Sequence, residues 1–359
     1  MANEEKAVTI YTIAQESGVS PSTVSRVLNG QHVLPKSYER VKPIIDKYQF
    51  VPNQLARAMT SNRTQTLGVI MPDITNPYFS ALFLEIQKHA LQYGYAIILS
   101  NTLYGGSSHG IDSPFSERQY FQMMIDKKVD GVIITGGELD KEDISPEYVG
   151  GLNRLATHFP VVAIGQTIED CNCIFINRNL AGGVSALVQH LVALGRRRIG
   201  FIGGEERVKT TSSRYNAYRS TMVSLSLPID PNIVALTDYY LPDGYRAMDS
   251  ILRNPQPNPT AVVAINDTVA LGAIRAVVDH GLRVPEDISV VSCDQFLESE
   301  YTVPRLTTID QQNSYLGRLS MMVLISAINH VNEPIQIEHS PRLMIRESCG
   351  AQVPGGFSN

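Results

Sequence analysis

The sequence predicts two unlike parts, a small all-α head and a large α/β body built on parallel sheets. Its 359 residues exceed the usual size of one domain. Residues 1–50 place apolar side chains at helical spacing, whereas from Leu67 onward short apolar runs alternate with amphipathic stretches. The second pattern is that of strands covered by helices on both faces.

In the head, Thr9 is placed to cap a helix whose Ile10, Ile13 and Ala14 share one face, and Gly18 supplies the left-handed residue that ends it. Ser20 caps a second helix with Pro21 at its first position, where a missing N–H does no harm. Val24, Val27 and Leu28 then point inward, leaving Ser22, Thr23, Ser25, Arg26 and Asn29 on the other face. Two helices joined by a glycine turn form a helix-turn-helix. Small hydroxyls at a helix N-terminus suit close approach to phosphates and base edges, and Arg26 has the reach for a bidentate bond to guanine. Thr9, Ser20, Pro21, Ser22, Thr23, Ser25, Arg26 and Asn29 are therefore candidate contacts to double-stranded DNA, with an ordinary surface hairpin as the alternative. A third helix from about Pro35 to Tyr48 closes the core with Val41, Ile44, Ile45 and Tyr48. Pro43 inside it predicts a kink near Glu39 to Pro43.

The net charge of −5 looks wrong for a DNA reader until it is divided. Residues 1–62 hold seven Lys/Arg against five Asp/Glu, a balance of +2 that leaves −7 on the remainder. A basic head on an acidic body confines phosphate contact to one end. No apolar run approaches the roughly 18 residues of a membrane span. The opening M-A-N-E-E-K-A-V lacks the layout of a secretory signal, so a cytoplasmic protein without membrane contact is expected. Four scattered cysteines, Cys171, Cys173, Cys293 and Cys349, read as reduced thiols, and neither a metal site nor a cofactor is expected.

Seven strands are expected in the body: Leu67–Met71, Ala96–Ser100, Gly131–Thr135, Val161–Gly165, Ile199–Gly203, Ala261–Ile265 and Ser289–Cys293. Ligands of such sheets bind beyond the carboxyl ends of the strands. The first strand is not followed by G-x-G-x-x-G, and no phosphate-binding G-x-x-x-x-G-K-[ST] occurs, which argues against nucleotide chemistry. The polar residues that follow strands or open helices are Asp73, Asn76, Arg214, Asn266, Asp267 and Asp294. Carboxylates, amides and a guanidinium facing one cleft offer the donors and acceptors of a polyol site, and Tyr78 or Phe79 can stack on an apolar face. Asn266 and Asp267 can equally serve only to cap a helix over Thr268–His280. The Gly- and Ser-rich stretch Leu103–Pro114 is expected to be a surface loop.

T-V-S-R-V-L-N-G, F-V-P-N-Q-L-A-R-A-M and T-L-G-V-I-M-P-D-I-T-N-P-Y-F resemble the lactose and galactose repressor family of bacterial transcription regulators. Further matches over His190–Gly204, Ala264–Ala276, Gly281–Val291 and Pro304–Gln311 extend the resemblance over nearly the whole chain. It implies a head over 1–50, a connector over 51–64, a two-lobed core over 65–351 like periplasmic sugar-binding proteins, and a disordered tail over 352–359. The lobes would comprise 65–175 with 312–340, and 176–311 with 341–351, the chain crossing near 175, 311 and 341.

Within that family the segment matching Asn53 to Thr60 becomes a hinge helix only when two copies pair on operator DNA. Eight residues fall far short of the ~12–15 that an isolated helix needs. Asn53, Ala56 and Met59 join the DNA-contact candidates, Met59 standing where a leucine wedge is usual; a plain linker is the alternative. The resemblance also assigns Arg214, Asn266 and Asp294 to the effector site, with Asp73, Asn76, Tyr78, Phe79 and Gly165 around them. It implies a homodimer along helices over Pro77–Tyr93 and Arg118–Lys127, and because the tail after Gly350 has no heptads, no tetramer-forming coiled coil is expected. Gly165-Gln166 stand where Asp-Arg is common, Arg178 replaces a usual aspartate, and Ser292-Cys293 replace Gly-Tyr or Gly-Phe, so the pocket should differ from that of the lactose repressor.

The expected function is a non-enzymatic repressor that binds operator DNA under control of a sugar or sugar phosphate. The alternative is a sugar-binding protein or sugar-modifying enzyme with a helical extension, against which the sequence shows no H-E-x-x-H.

Overall fold

A computed structural model describes residues 8–28, 30, 32–50, 63–102, 117–255, 258–331 and 340–352. Asn29, Asn53, Ala56 and Met59, the connector over 53–60, the stretch 103–114 and the tail beyond 352 lie outside the described residues. The chain divides into two compact units, Met1–Thr64 and Gln65–Asn359.

The first unit contains helices α1 (Ile10–Ser17), α2 (Pro21–Leu28) and α3 (Pro35–Tyr48). Thr9 caps α1 reciprocally with Thr12: its hydroxyl accepts from the Thr12 amide at 3.3 Å, and the Thr12 hydroxyl accepts from the Thr9 amide at 3.2 Å. Gly18 takes φ 66° and closes the helix. Ser20 accepts from the Thr23 amide at 3.2 Å and so caps α2. Ile13, Ala14, Val24, Val27 and Val41 form the buried core, with Ile10, Leu28, Ile44 and Ile45 packed around it. Tyr48 departs from the expected core stripe. It is half-buried and its hydroxyl donates to Glu16, whose carboxylate also receives Lys47 at 3.2 Å. A phenol at a helix end gains a partner there that an apolar core cannot give it. α3 runs unbroken through Pro43, which is exposed.

The second unit holds two parallel sheets. β1 (Thr66–Met71), β2 (Ala96–Asn101), β3 (Gly131–Thr135), β4 (Val161–Ile164) and β5 (Ile174–Ile176) are ordered β2-β1-β3-β4-β5. Their helices are α4 (Pro77–Gln92), α5 (Glu117–Lys127) and α6 (Pro146–Ala156). After β5 the chain enters α7 (Leu180–Ala193), β6 (Ile199–Ile202), α8 (Lys209–Ser224), β7 (Val234–Ala235), α9 (Leu241–Arg253), β8 (Ala261–Ala264), α10 (Asp267–Asp279) and β9 (Ser289–Ser292). This sheet is ordered β7-β6-β8-β9. β10 (Thr308–Asp310) then leads to α11 (Asn313–Ile328), which packs against α4, β3 and β4 of the first sheet. β11 (Arg342–Met344) pairs antiparallel with β10 on the return.

Every residue of β3, β4, β6, β8 and β9 is buried. That explains why they show no alternating polar face: a strand covered on both faces has no solvent side to alternate with. Each lobe thus has its own core, around Phe201, Val263 and Val290 in one and around Val69, Ile133 and Leu324 in the other. The carboxyl ends of both sheets carry loops rich in polar residues, which meet in a cleft.

Candidate functional site

The cleft lies between the lobes and encloses about 110 Å³. From the first lobe, the turn after β1 supplies Asp73, Asn76, Tyr78 and Phe79, and the turn after β3 supplies Gly136, Gly137 and Asp140. From the second lobe come Arg178, Glu205, Thr210, Arg214, Asp238, Tyr239, Tyr240, Asn266 and Asp294. Seven of the eight cleft residues expected from the sequence line this one space. Gly165 does not; it lines an adjoining cavity of about 160 Å³ with Gln166, Asn179, Lys209 and Ser213.

Arg214 organises the floor. It lies in the second turn of α8, slightly deeper than the helix start expected from sequence, and its guanidinium forks onto Asp294 at 2.5 and 3.2 Å. It also donates to the Ile265 carbonyl at 2.6 Å and the Cys293 carbonyl at 3.4 Å. Both side chains are buried, and a planar guanidinium satisfies carboxylate and strand-end carbonyls together. Burial is the largest single influence and opposes the charge of Arg214, but Asp294 together with Cys293 and Tyr239 outweighs it and its pKa is raised.

The first lobe contributes shape. Asn76 caps α4 by accepting from the Tyr78 amide at 3.0 Å, which fixes the edge-on pair of Tyr78 and Phe79, ring centroids 5.1 Å apart, at the cleft wall. Gly136 and Gly137 take φ of 70° and 64°. A Cβ on Gly137 would collide with the Glu117 carboxylate, which accepts from the Glu138 amide at 3.1 Å and the Tyr148 hydroxyl at 2.7 Å. Burial pushes the Glu117 carboxyl up to about 7.

The lobes touch at the rim of the cleft through several polar contacts. Tyr240 donates to Asp73 at 2.8 Å, while Arg178 and Thr210 donate to Asp140 at 3.3 and 3.2 Å. Arg178 also lies 5.2 Å from the centre of the Tyr78 ring. Farther out, Gln166 reaches Ser213 at 3.3 Å and the Glu142 amide reaches the Arg207 carbonyl at 2.9 Å. Of the residues making these contacts, Asp73 and Tyr78 are the ones the sequence singles out as site residues. Arg178 stands out in the sequence only as a departure from the family pattern, and a charged residue just before the helix N-cap Asn179 is the signal it offers.

Asn266 does cap a helix: its Oδ1 accepts from the Val269 amide at 2.9 Å, while its Nδ2 donates to the Tyr239 carbonyl at 2.8 Å and its flank faces the cleft. Asp267 does neither job. It is the first residue of α10 and accepts from the hydroxyls of Ser292 and Ser299 and from the Phe296 amide at 2.8 Å, fastening the segment after β9 to the helix. Burial raises its carboxyl to about 7.

In the head, Ser22 and Arg26 are exposed and Pro21, Thr23 and Ser25 half-buried on the outer side of α2. The Ser20 hydroxyl lies 2.7 Å from that of Ser22 and 2.9 Å from that of Thr23, a cluster of small polar groups at the helix N-terminus. All four cysteines are free thiols.

A helix-turn-helix ahead of a two-lobed, cleft-bearing α/β core defines the class of one-chain transcription regulators. Residues 9–53 match the family described as bacterial regulatory proteins, lacI family, and residues 188–349 match the periplasmic binding protein-like domain. The chain is 31% identical over 345 residues to the HTH-type transcriptional repressor PurR of Haemophilus influenzae, covering 95% of this chain and 98% of that one. Among solved structures it is similar to a lac repressor dimer bound to operator and the anti-inducer ONPF, with TM-score 0.82, 26% identity and coverage of 96% and 100%. It is also similar to the transcriptional regulator CelR in complex with cellobiose, with TM-score 0.66, 25% identity and coverage of 95% and 99%. The chain belongs to the lacI family of bacterial regulatory proteins.

Proposed function

We propose that this regulator binds operator DNA as a homodimer through the outer face of α2, and that a small polyhydroxylated metabolite in the cleft sets its operator affinity. The observation that carries the reading is the convergence of Asp73, Asn76, Tyr78, Phe79, Arg214, Asn266 and Asp294 on one space between two lobes. A ligand contacting both lobes has different contacts when their angle changes, which is the differential affinity an allosteric switch requires. The operator-bound lac repressor dimer and the cellobiose complex support the two halves of the proposal.

For DNA, the hydroxyl cluster at the start of α2 suits phosphate oxygens and Arg26 suits a base edge. Dimerisation fits the exposed Leu84 and Leu91, seven residues apart on α4 and 62% and 66% exposed. Apolar side chains at that spacing share one helix face and gain from burial against a second copy. Among the described residues no helix is long and apolar enough to cross a membrane. We assign the protein to the cytoplasm, where its DNA would be, with a head over 1–50, a connector over 51–64 and a core over 65–351.

The test is a gel-shift titration with duplexes selected from a random-sequence pool. A sequence-specific reader gives one preferred site and a log–log salt slope near −0.9 per phosphate neutralised. Equal affinity for selected and unselected duplexes would refute the proposal.

A further inference from the structure

The charge balance of the cleft restricts what it can hold. Its lining contains two arginines, one paired with a carboxylate of its own lobe and the other with a carboxylate across the cleft. Arg214 is forked onto Asp294, and Arg178 faces Asp140 while also bonding Thr210. Both guanidiniums are almost fully buried. Three further carboxylates, Asp73, Glu205 and Asp238, line the same space, and among the described residues its lining holds no other arginine and no lysine. The lining therefore carries a formal surplus of three negative charges. Lys209 lines the adjoining cavity instead, and Lys141 acts on Glu205 from outside the lining.

We infer that the cleft takes a non-anionic polyol, neutral or amine-bearing, and discriminates against phosphate esters and carboxylates of the same sugars. The inference rests on the effector reading of the cleft and narrows the broader class of sugars and sugar phosphates. A phosphate entering this space would need a donor cation, and taking one would strip Asp294 or Asp140 of its partner in a buried setting. A hydroxyl or ammonium group needs no such exchange, because carboxylate oxygens accept from either. Glu205 stands at the solvent edge of this space, and its carboxyl is raised by partial burial and then by neighbouring Asp238. Tyr78 and Phe79 at the wall provide the flat apolar surface on which a sugar ring or chain can lie.

The experiment is a thermal-shift and calorimetric panel on the full-length protein. Neutral pentoses, hexoses and disaccharides are each tested beside their phosphate ester, aldonic acid and amino sugar. A neutral or amino member should bind at least about tenfold more tightly than its anionic counterpart, equivalent to about 1.4 kcal/mol. In the double variant Glu205→Gln with Asp238→Asn that preference should narrow. An anionic member binding as tightly as its neutral parent, or more tightly, would overturn the inference and leave the effector reading standing. Silence from every member of the panel would overturn both.

Discussion

Arg214 and Asp294 show how one residue pair sets both the stability and the chemistry of the cleft. Their buried fork leaves either partner costly to remove, so Arg214→Ala should lose about 3–5 kcal/mol in urea unfolding because Asp294 is left charged and alone. A loss below 1 kcal/mol, on the order of an exposed pair, would contradict the burial described here. Gly137 is sensitive for a different reason. Its φ of 64° disfavours any side chain, and a Cβ meets Glu117, so Gly137→Ala should cost at least about 1 kcal/mol. In the head, Arg26→Ala should cost about 1–3 kcal/mol of operator affinity and relax preference at one base position if it reads a base edge. Uniform weakening across all sequences would instead assign it to phosphate.

At the scale of elements, the strands buried on both faces were legible through their short, mostly apolar runs. β5, β7, β10 and β11 were not, since two or three residues carry no periodicity and exist only because a neighbouring strand offers a ladder. The two capped helices of the head were legible through Thr9, Gly18, Ser20 and Pro21, each a local signal. Tyr48 shows the limit of local periodicity: helical spacing puts it in the core, while its hydroxyl finds Glu16, 32 residues away. Asp267 was read as a possible cap because it follows Ile265-Asn266; its true partners, Ser292 and Ser299, lie 25 and 32 residues on. Arg178 and Asp140 belong to different lobes, so no local pattern could join them. The lobe contact from Tyr240 to Asp73 makes a prediction at this scale. Tyr240→Phe removes one hydrogen bond, should cost about 0.5–1.5 kcal/mol of lobe closure, and should change ligand affinity without changing the salt slope of DNA binding.

At the scale of the whole molecule, each lobe carries a buried acid. Glu117 in the first and Asp267 in the second are both held near 7 by burial, against about 4 for an exposed carboxyl. Between those values the folded protein keeps protons that the unfolded chain has released. Their contribution is therefore greatest below about pH 4 and is lost as pH rises toward about 7. Urea unfolding across that window should show a downward component that Glu117→Gln flattens. An unchanged pH profile in that variant would show that Glu117 is already ionised in the folded protein.

Thermodynamic reciprocity supplies the most direct test of the central claim, that cleft and DNA face are two sites of one switch. Operator affinity is measured with and without a cleft ligand found by thermal shift, and ligand affinity with and without operator. The account predicts the same factor in both directions, between about 5-fold and 150-fold. A ligand that stabilises the protein yet leaves operator affinity unchanged would contradict it.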